Sequence, residues 1–162
     1  MDLALRYSAD IDGLDISLSG TDLRGEDTLA TAVALSLQLD RTAEAHEVGA
    51  GEDRRGWWAD TYAEVDGDQH GSRLWLLGRE KQLPATVQRA VRYVREALQW
   101  IVSDGLALSI DVAGFIPRAG WLMVDAVFQL AGESRRYRFA WNESAHMWTL
   151  SGEGFEGASN AV

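Results

Sequence analysis

The chain has 162 residues, no cysteine and a formal net charge of −10, from 25 acidic against 15 basic residues. This length suits one domain that buries roughly 70% of the surface its unfolded form exposes, and the lack of cysteine excludes disulfides and thiol chemistry. The charge argues against nucleic acid or an anionic membrane as the main partner and reads most simply as a solubility device. No apolar run approaches the roughly 18 residues a bilayer crossing needs; the longest, around Trp121 to Phe128, is broken by Asp125. The start, Met-Asp-Leu-Ala-Leu, has neither a basic n-region nor an apolar h-region, so no signal peptide is expected.

In chain order the first expected element is a β-hairpin. Leu3, Leu5 and Tyr7 alternate with small or polar residues, as do Leu14, Ile16 and Leu18, with Asp12-Gly13 as the turn. A lone hairpin is unstable in water and must pack on something else. Next comes a helix over Glu26 to Asp40, acidic at its start where the helix dipole favours it. Leu29, Val33 and Leu37 mark its buried line, broadened by Ala30, Ala34 and Leu35. Residues 42–56 are polar and glycine-containing, hence loop, and they deliver Trp57-Trp58. Residues 66–71 read as loop again, and Ser72 is placed to cap a short helix through Arg79.

A long helix is predicted from Pro84 to about Asp104. Val87, Val91, Val94, Leu98 and Ile101 form its buried stripe, Arg92 and Glu96 suit an ion pair at spacing four, and Gly105 suits a left-handed cap. Three strands follow by alternation: Leu106 to Val112, Leu122 to Leu130, and Tyr137 to Trp141, with turns at 117–120 and 132–134. A fourth, from Ala145 to Leu150, completes a meander. The expected fold is therefore α+β: an antiparallel β-meander packed against a long α-helix, with the N-terminal hairpin and additional helices. One domain is expected over residues 1–151, followed by a glycine-rich tail at 152–162 that a partner would have to order.

The residue types that carry chemistry do not converge. Asp66, Asp68 and His70 are metal-ligand types, but three polar residues in a glycine-containing loop are the usual composition of a turn. Asp10, Asp12 and Asp15 lack the ligand spacing and terminal Glu of a calcium loop. No nucleophile elbow and no glycine-rich phosphate loop is present, so no metal, cofactor or catalytic residue is assigned. The chain reads as a non-enzyme. One enzymatic alternative stands on composition alone: a peptidoglycan-acting muramidase needs two carboxylates, of which Glu64 is a candidate, and Trp57 and Trp58 suit a sugar ring. A carbohydrate-binding module is the related non-catalytic alternative.

The sequence is densest between 53 and 77. Asp53-Arg54-Arg55-Gly56-Trp57-Trp58-Ala59-Asp60 and Gly71-Ser72-Arg73-Leu74-Trp75-Leu76-Leu77 gather three of the seven tryptophans beside three arginines. Indoles next to guanidinium groups are what a dense protein–protein contact uses, because both supply large, rigid surface that desolvates well. The plain structural readings are equally definite. Trp75, among three leucines, reads as core, and so does Trp100 on the long helix. Trp57 and Trp58 are adjacent and cannot point the same way, so core anchor and partner contact stay equally open for the pair. Arg54, Arg55 and Arg73 also serve as local ion-pair partners for Asp53 and Asp60.

These same two segments resemble the hallmark of the Mu-type bacteriophage tail baseplate wedge protein family, which carries Arg-Arg-Gly-Trp-Trp ahead of Gly-Ser-Arg-Leu-Trp-Leu-Leu. The resemblance extends from the opening Asp2-Leu3-Ala4-Leu5 to the long helix ending near Gly105. It departs at Ala59, where the family commonly has glycine, and at Leu83-Pro84, where it often has Thr-Pro. The resemblance implies a structural virion protein, related to the small wedge component of contractile tails and present in multiple copies around a six-fold axis. The implied partners are larger wedge proteins, the central spike or hub, and sheath or tube proteins, without nucleic acid or membrane insertion. The implied location is the virion tail baseplate, after assembly in the bacterial host cytoplasm. The interface residues expected on this reading are Arg54, Arg55, Gly56, Trp57, Trp58, Gly71, Ser72, Arg73 and Trp75.

Overall fold

In the computed structural model the described residues are 2–3, 5–8, 13–16, 18–19, 22–23, 25–26, 28–63, 67, 69–80, 83–142 and 147–152. The N-terminal part holds six short strands, β1 (Asp2–Leu3), β2 (Leu5–Ser8), β3 (Gly13–Ile16), β4 (Leu18–Ser19), β5 (Asp22–Leu23) and β6 (Gly25–Glu26). They pair antiparallel as β1–β6, β2–β3 and β4–β5. The register of β2 on β3 sets Tyr7 opposite Leu14 and Leu5 opposite Ile16; the expected turn residue Asp12 lies outside the described residues.

Helix α1 covers Thr28–Gln38, two residues later than expected, because Glu26 pairs with Asp2 in a ladder. Its first turn therefore has no acidic residue to meet the helix dipole. Leu29, Ala30, Val33, Ala34 and Leu37 are buried as the periodicity requires. Leu35 is not: two residues from Val33, it lies about 200° round the helix and is exposed.

Helix α2 covers Pro84–Ser103, with proline in the first turn where its missing N–H costs nothing. Its end closes as predicted. Gly105 has φ +74°, its N–H reaches the Val102 carbonyl at 3.1 Å, and the Leu106 N–H reaches Ile101 at 3.0 Å. The buried line runs through Ala90, Tyr93, Val94, Ala97, Leu98 and Ile101. Val87 and Val91 are only half-buried, because they sit over Gly114 of the sheet rather than in the centre of the core.

The sheet is the expected meander, with β7 (Ser109–Arg118), β8 (Trp121–Gln129), β9 (Ser134–Asn142) and β10 (Met147–Gly152) in the order β10-β9-β8-β7. Leu122, Val124, Ala126 and Phe128 of β8 alternate inward and align with Trp141, Phe139 and Tyr137 of β9. Phe128 meets Tyr137 edge-on at 5.8 Å. β7 starts later than the alternation suggested, since Leu106 belongs to the helix cap, and both Leu106 and Leu108 are exposed. It also runs past Pro117 to Arg118, with a register irregularity after Phe115. Proline is tolerated there because β7 is an outer strand and needs no ladder donor on its free side. No described helix is long and apolar enough to cross a membrane.

Candidate interaction surface of the 53–77 segment

The loop between α1 and the tryptophan pair is fastened to the rest of the fold at three levels. Backbone bonds come first. Asp40 and Ser72 form a parallel bridge, in which the Ser72 N–H reaches Leu39 at 2.8 Å and the Arg41 N–H reaches Ser72 at 2.9 Å. This closeness requires Gly71: at φ +90° a Cβ there would lie 2.4 Å from the Leu39 carbonyl oxygen. Ser72 is buried, and its hydroxyl donates to the Leu37 carbonyl at 2.8 Å while accepting weakly from Leu74 at 3.4 Å. The expected helix after it is a 3-10 turn over Leu74–Arg79 without a side-chain cap.

Ion pairs form the second level, and their partners differ from the local ones expected. Arg73 donates through Nη1 to Glu47 Oε2 at 2.7 Å and through Nη2 to Glu96, while its guanidinium lies 5.0 Å from the Tyr93 ring. Tyr93 donates to the other Glu47 oxygen at 2.8 Å. Burial alone would raise the Glu47 pKa, but the Glu44 N–H, the Tyr93 hydroxyl and Arg73 together bring it below the ordinary carboxylate value. Burial and the same carboxylate push the Tyr93 hydroxyl up. Glu96 thus serves Arg73, with Arg41 at 4.0 Å, instead of the Arg92 expected from helical spacing.

Arg54 and Arg55 supply the third level. Arg54 Nε donates to the Ala43 carbonyl at 2.6 Å. Arg55 has φ +51°, a left-handed backbone that Asp53 brackets by accepting the Arg55 N–H at 2.8 Å. Its guanidinium pairs with Asp40 at 2.9 Å and lies 4.5 Å from the Trp75 ring centroid. Trp75 is half-buried and donates its indole N–H to the Arg41 carbonyl at 3.0 Å. Asp60 accepts from both the backbone and the ring of His70, at 3.1 and 3.2 Å. His70 therefore turns to Asp60, while Asp66, Asp68 and Glu64 lie outside the described residues.

The tryptophan pair divides. Trp57 is half-buried and meets the His70 ring edge-on at 4.9 Å, whereas Trp58 is 73% exposed. Trp58 opens a 3-10 turn through Tyr62, and that tyrosine stands 6.3 Å away, also exposed. Tyr62 was not singled out from the sequence; the signal available was its spacing of four from Trp58 on a helical turn. Trp100, expected in the core, is 40% exposed and tied to Ser36 by its indole N–H at 2.9 Å. Of the nine expected interface residues, Arg54, Arg55 and Trp58 are exposed, while Gly71 and Ser72 are buried within the chain.

The chain is similar to known phage proteins over most of its length. It is 42% identical over 110 residues to the baseplate protein gp46 of Escherichia phage Mu, covering 67% of this chain and 74% of that protein. It is 38% identical over 131 residues to the Mu-like prophage FluMu protein gp46 of Haemophilus influenzae, covering 79% and 90% of the two chains. Residues 29–135, which include both tryptophan-bearing segments, match the family described as Phage protein GP46. The chain belongs to that family.

Proposed function

We propose that this protein is a structural component of a contractile phage tail baseplate wedge, located in the virion. It would join larger wedge proteins, the central hub and the sheath base by protein–protein contacts. The observation that carries this reading is the exposed Trp58–Tyr62 pair on a loop braced by Asp40, Glu47, Glu96 and Tyr93. An exposed aromatic pair on a braced loop suits a contact anchor, because less ordering entropy remains to be lost on docking. Similarity to a protein named as a phage Mu baseplate protein supplies the setting.

The meander offers a second mode of contact by strand addition. β7 and β10 each have a single strand neighbour among the described residues. On β7, Arg95 Nη2 reaches the Val112 carbonyl at 3.4 Å.

The test is assembly. Trp58→Ala and Arg55→Ala are each expected to unfold within about 1 kcal/mol of the parent, as exposed substitutions do, yet to fail to complement tail assembly in a phage lacking the gene. Infectious particles at parental yield from both variants would overturn the reading. A zymogram band on peptidoglycan from the purified chain would favour the muramidase alternative instead.

A further inference from the structure

Arg92 and Arg95 stand three residues apart on the outward face of α2, and both are exposed. Neither has a carboxylate partner among the described residues. Arg92 lies 5.3 Å from the ring of its neighbour Tyr93, and Arg95 makes the long bond to Val112. Arg55, Arg73, Arg89 and Arg138, by contrast, each sit against a carboxylate. Like charges at this helical spacing repel, so the free chain holds two guanidinium groups that a carboxylate between them would relieve.

With Gln88, Val91 and Gln99, the two arginines line a shallow groove of about 670 Å3. Arg41 and Glu96 form its wall and also border a larger cleft of about 880 Å3 lined from α1, from α2 and its C-cap Asp104, and from Trp57, Gly67 and residues 69–71. There Leu35, Trp57 and Trp100 supply the large apolar surface. The indole bond to Ser36 holds the Trp100 ring in place.

We propose that these adjoining hollows form one docking site for an acidic segment of a neighbouring baseplate protein, a segment that also carries one bulky apolar residue. Its carboxylates meet Arg92 and Arg95, and its apolar side chain enters the cleft at Leu35, Trp57 and Trp100. The identity of the neighbour rests on the baseplate reading above; the chemistry rests on charge complementarity and on the geometry of the groove. Guanidinium groups take carboxylates in a two-pronged fashion that suits paired Asp and Glu. The chain's charge of −10 repels a long polyanion such as DNA, whereas a short acidic segment feels mainly the arginines within a screening length. Glu96 does not cancel the site, because it is committed to Arg73 and faces Arg41.

The isolated chain is titrated by fluorescence anisotropy with a labelled acidic nonapeptide of Asp and Glu around one central Phe. A second peptide with Ser in place of Phe and a single-stranded oligonucleotide of equal charge serve as comparisons. The expected result is saturable, salt-sensitive binding, weakened about tenfold or more by the double substitution Arg92→Glu and Arg95→Glu. The Ser peptide binds several-fold less tightly, and the double variant keeps a cooperative thermal unfolding transition. Absence of binding, equal binding by the double variant, or tighter binding of the oligonucleotide would overturn the proposal. Particle assembly does not enter this titration, so its failure leaves the baseplate reading standing, and the converse also holds.

Discussion

Glu47 receives hydrogen bonds from Arg73, from the Tyr93 hydroxyl and from the Glu44 backbone, and its side chain is 11% exposed. Replacing it with Gln keeps the shape but leaves the Arg73 guanidinium, 12% exposed, facing a neutral group. The expected cost at neutral pH is about 2 kcal/mol, read as a fall of about 4–8 °C in Tm for a chain of this size. The pH dependence has a definite sign. The folded pKa lies below the ordinary 4.5, so the contribution is full above that pH and is lost as pH falls through the lower, folded value. The Tm difference between parent and Glu47→Gln is therefore expected to shrink as pH is lowered below 4.5, and a constant difference would contradict the role given to this carboxylate. None of this was legible in the sequence. Glu47 lies in a polar loop that reads as solvent-facing, and its partners are 26 and 46 residues away.

At the scale of elements, α2 packs on β7 and β8, and it approaches β7 tightly at Gly114. A Cβ added at Gly114 would come within 2.8 Å of both a Val87 and a Val91 methyl carbon. Gly114→Ala is expected to cost about 1–3 kcal/mol by overpacking, and the added substitution Val87→Ala to return part of that loss. Denaturant unfolding of the two single variants and the double variant measures the coupling, and strictly additive effects would show that helix and strand do not meet there. The position of α2 was readable because twenty residues of amphipathic period, an initial proline and a terminal glycine all agree. Its depth was not: Tyr93 lay off the aliphatic stripe, and Val87 and Val91 lay on it, yet Tyr93 is the buried one. The sheet supplies the reason, since it presents Gly114 beneath the valines, while the tyrosine fills the space beside Glu47 of the loop and Arg73.

On the whole molecule, apolar surface is spread unevenly. Trp58 and Tyr62 stand out from the loop, while Trp100 and Leu35 border the cleft around the corner of α2. Truncating both Trp58 and Tyr62 to Ala is expected to change stability by less than about 1 kcal/mol, because neither is buried, while incorporation into particles falls further than for Trp58→Ala alone. Equal yields from single and double variants, measured by titre, would remove Tyr62 from the contact. The sequence by itself determined the class of fold, the long helix with both its ends and the family, because each is written in local periodicity, turn residues or contiguous motifs, whereas the order of the strands came from the structure. Only the tertiary structure decided which member of the tryptophan pair faces out, that Trp100 is half-exposed, and that the arginines of the 53–77 segment reach Asp40, Glu47 and Glu96 instead of their neighbours Asp53 and Asp60. Those outcomes depend on which distant carboxylates and carbonyls the packing of α1 against α2 brings within reach, and no periodicity along the chain encodes a distance across it.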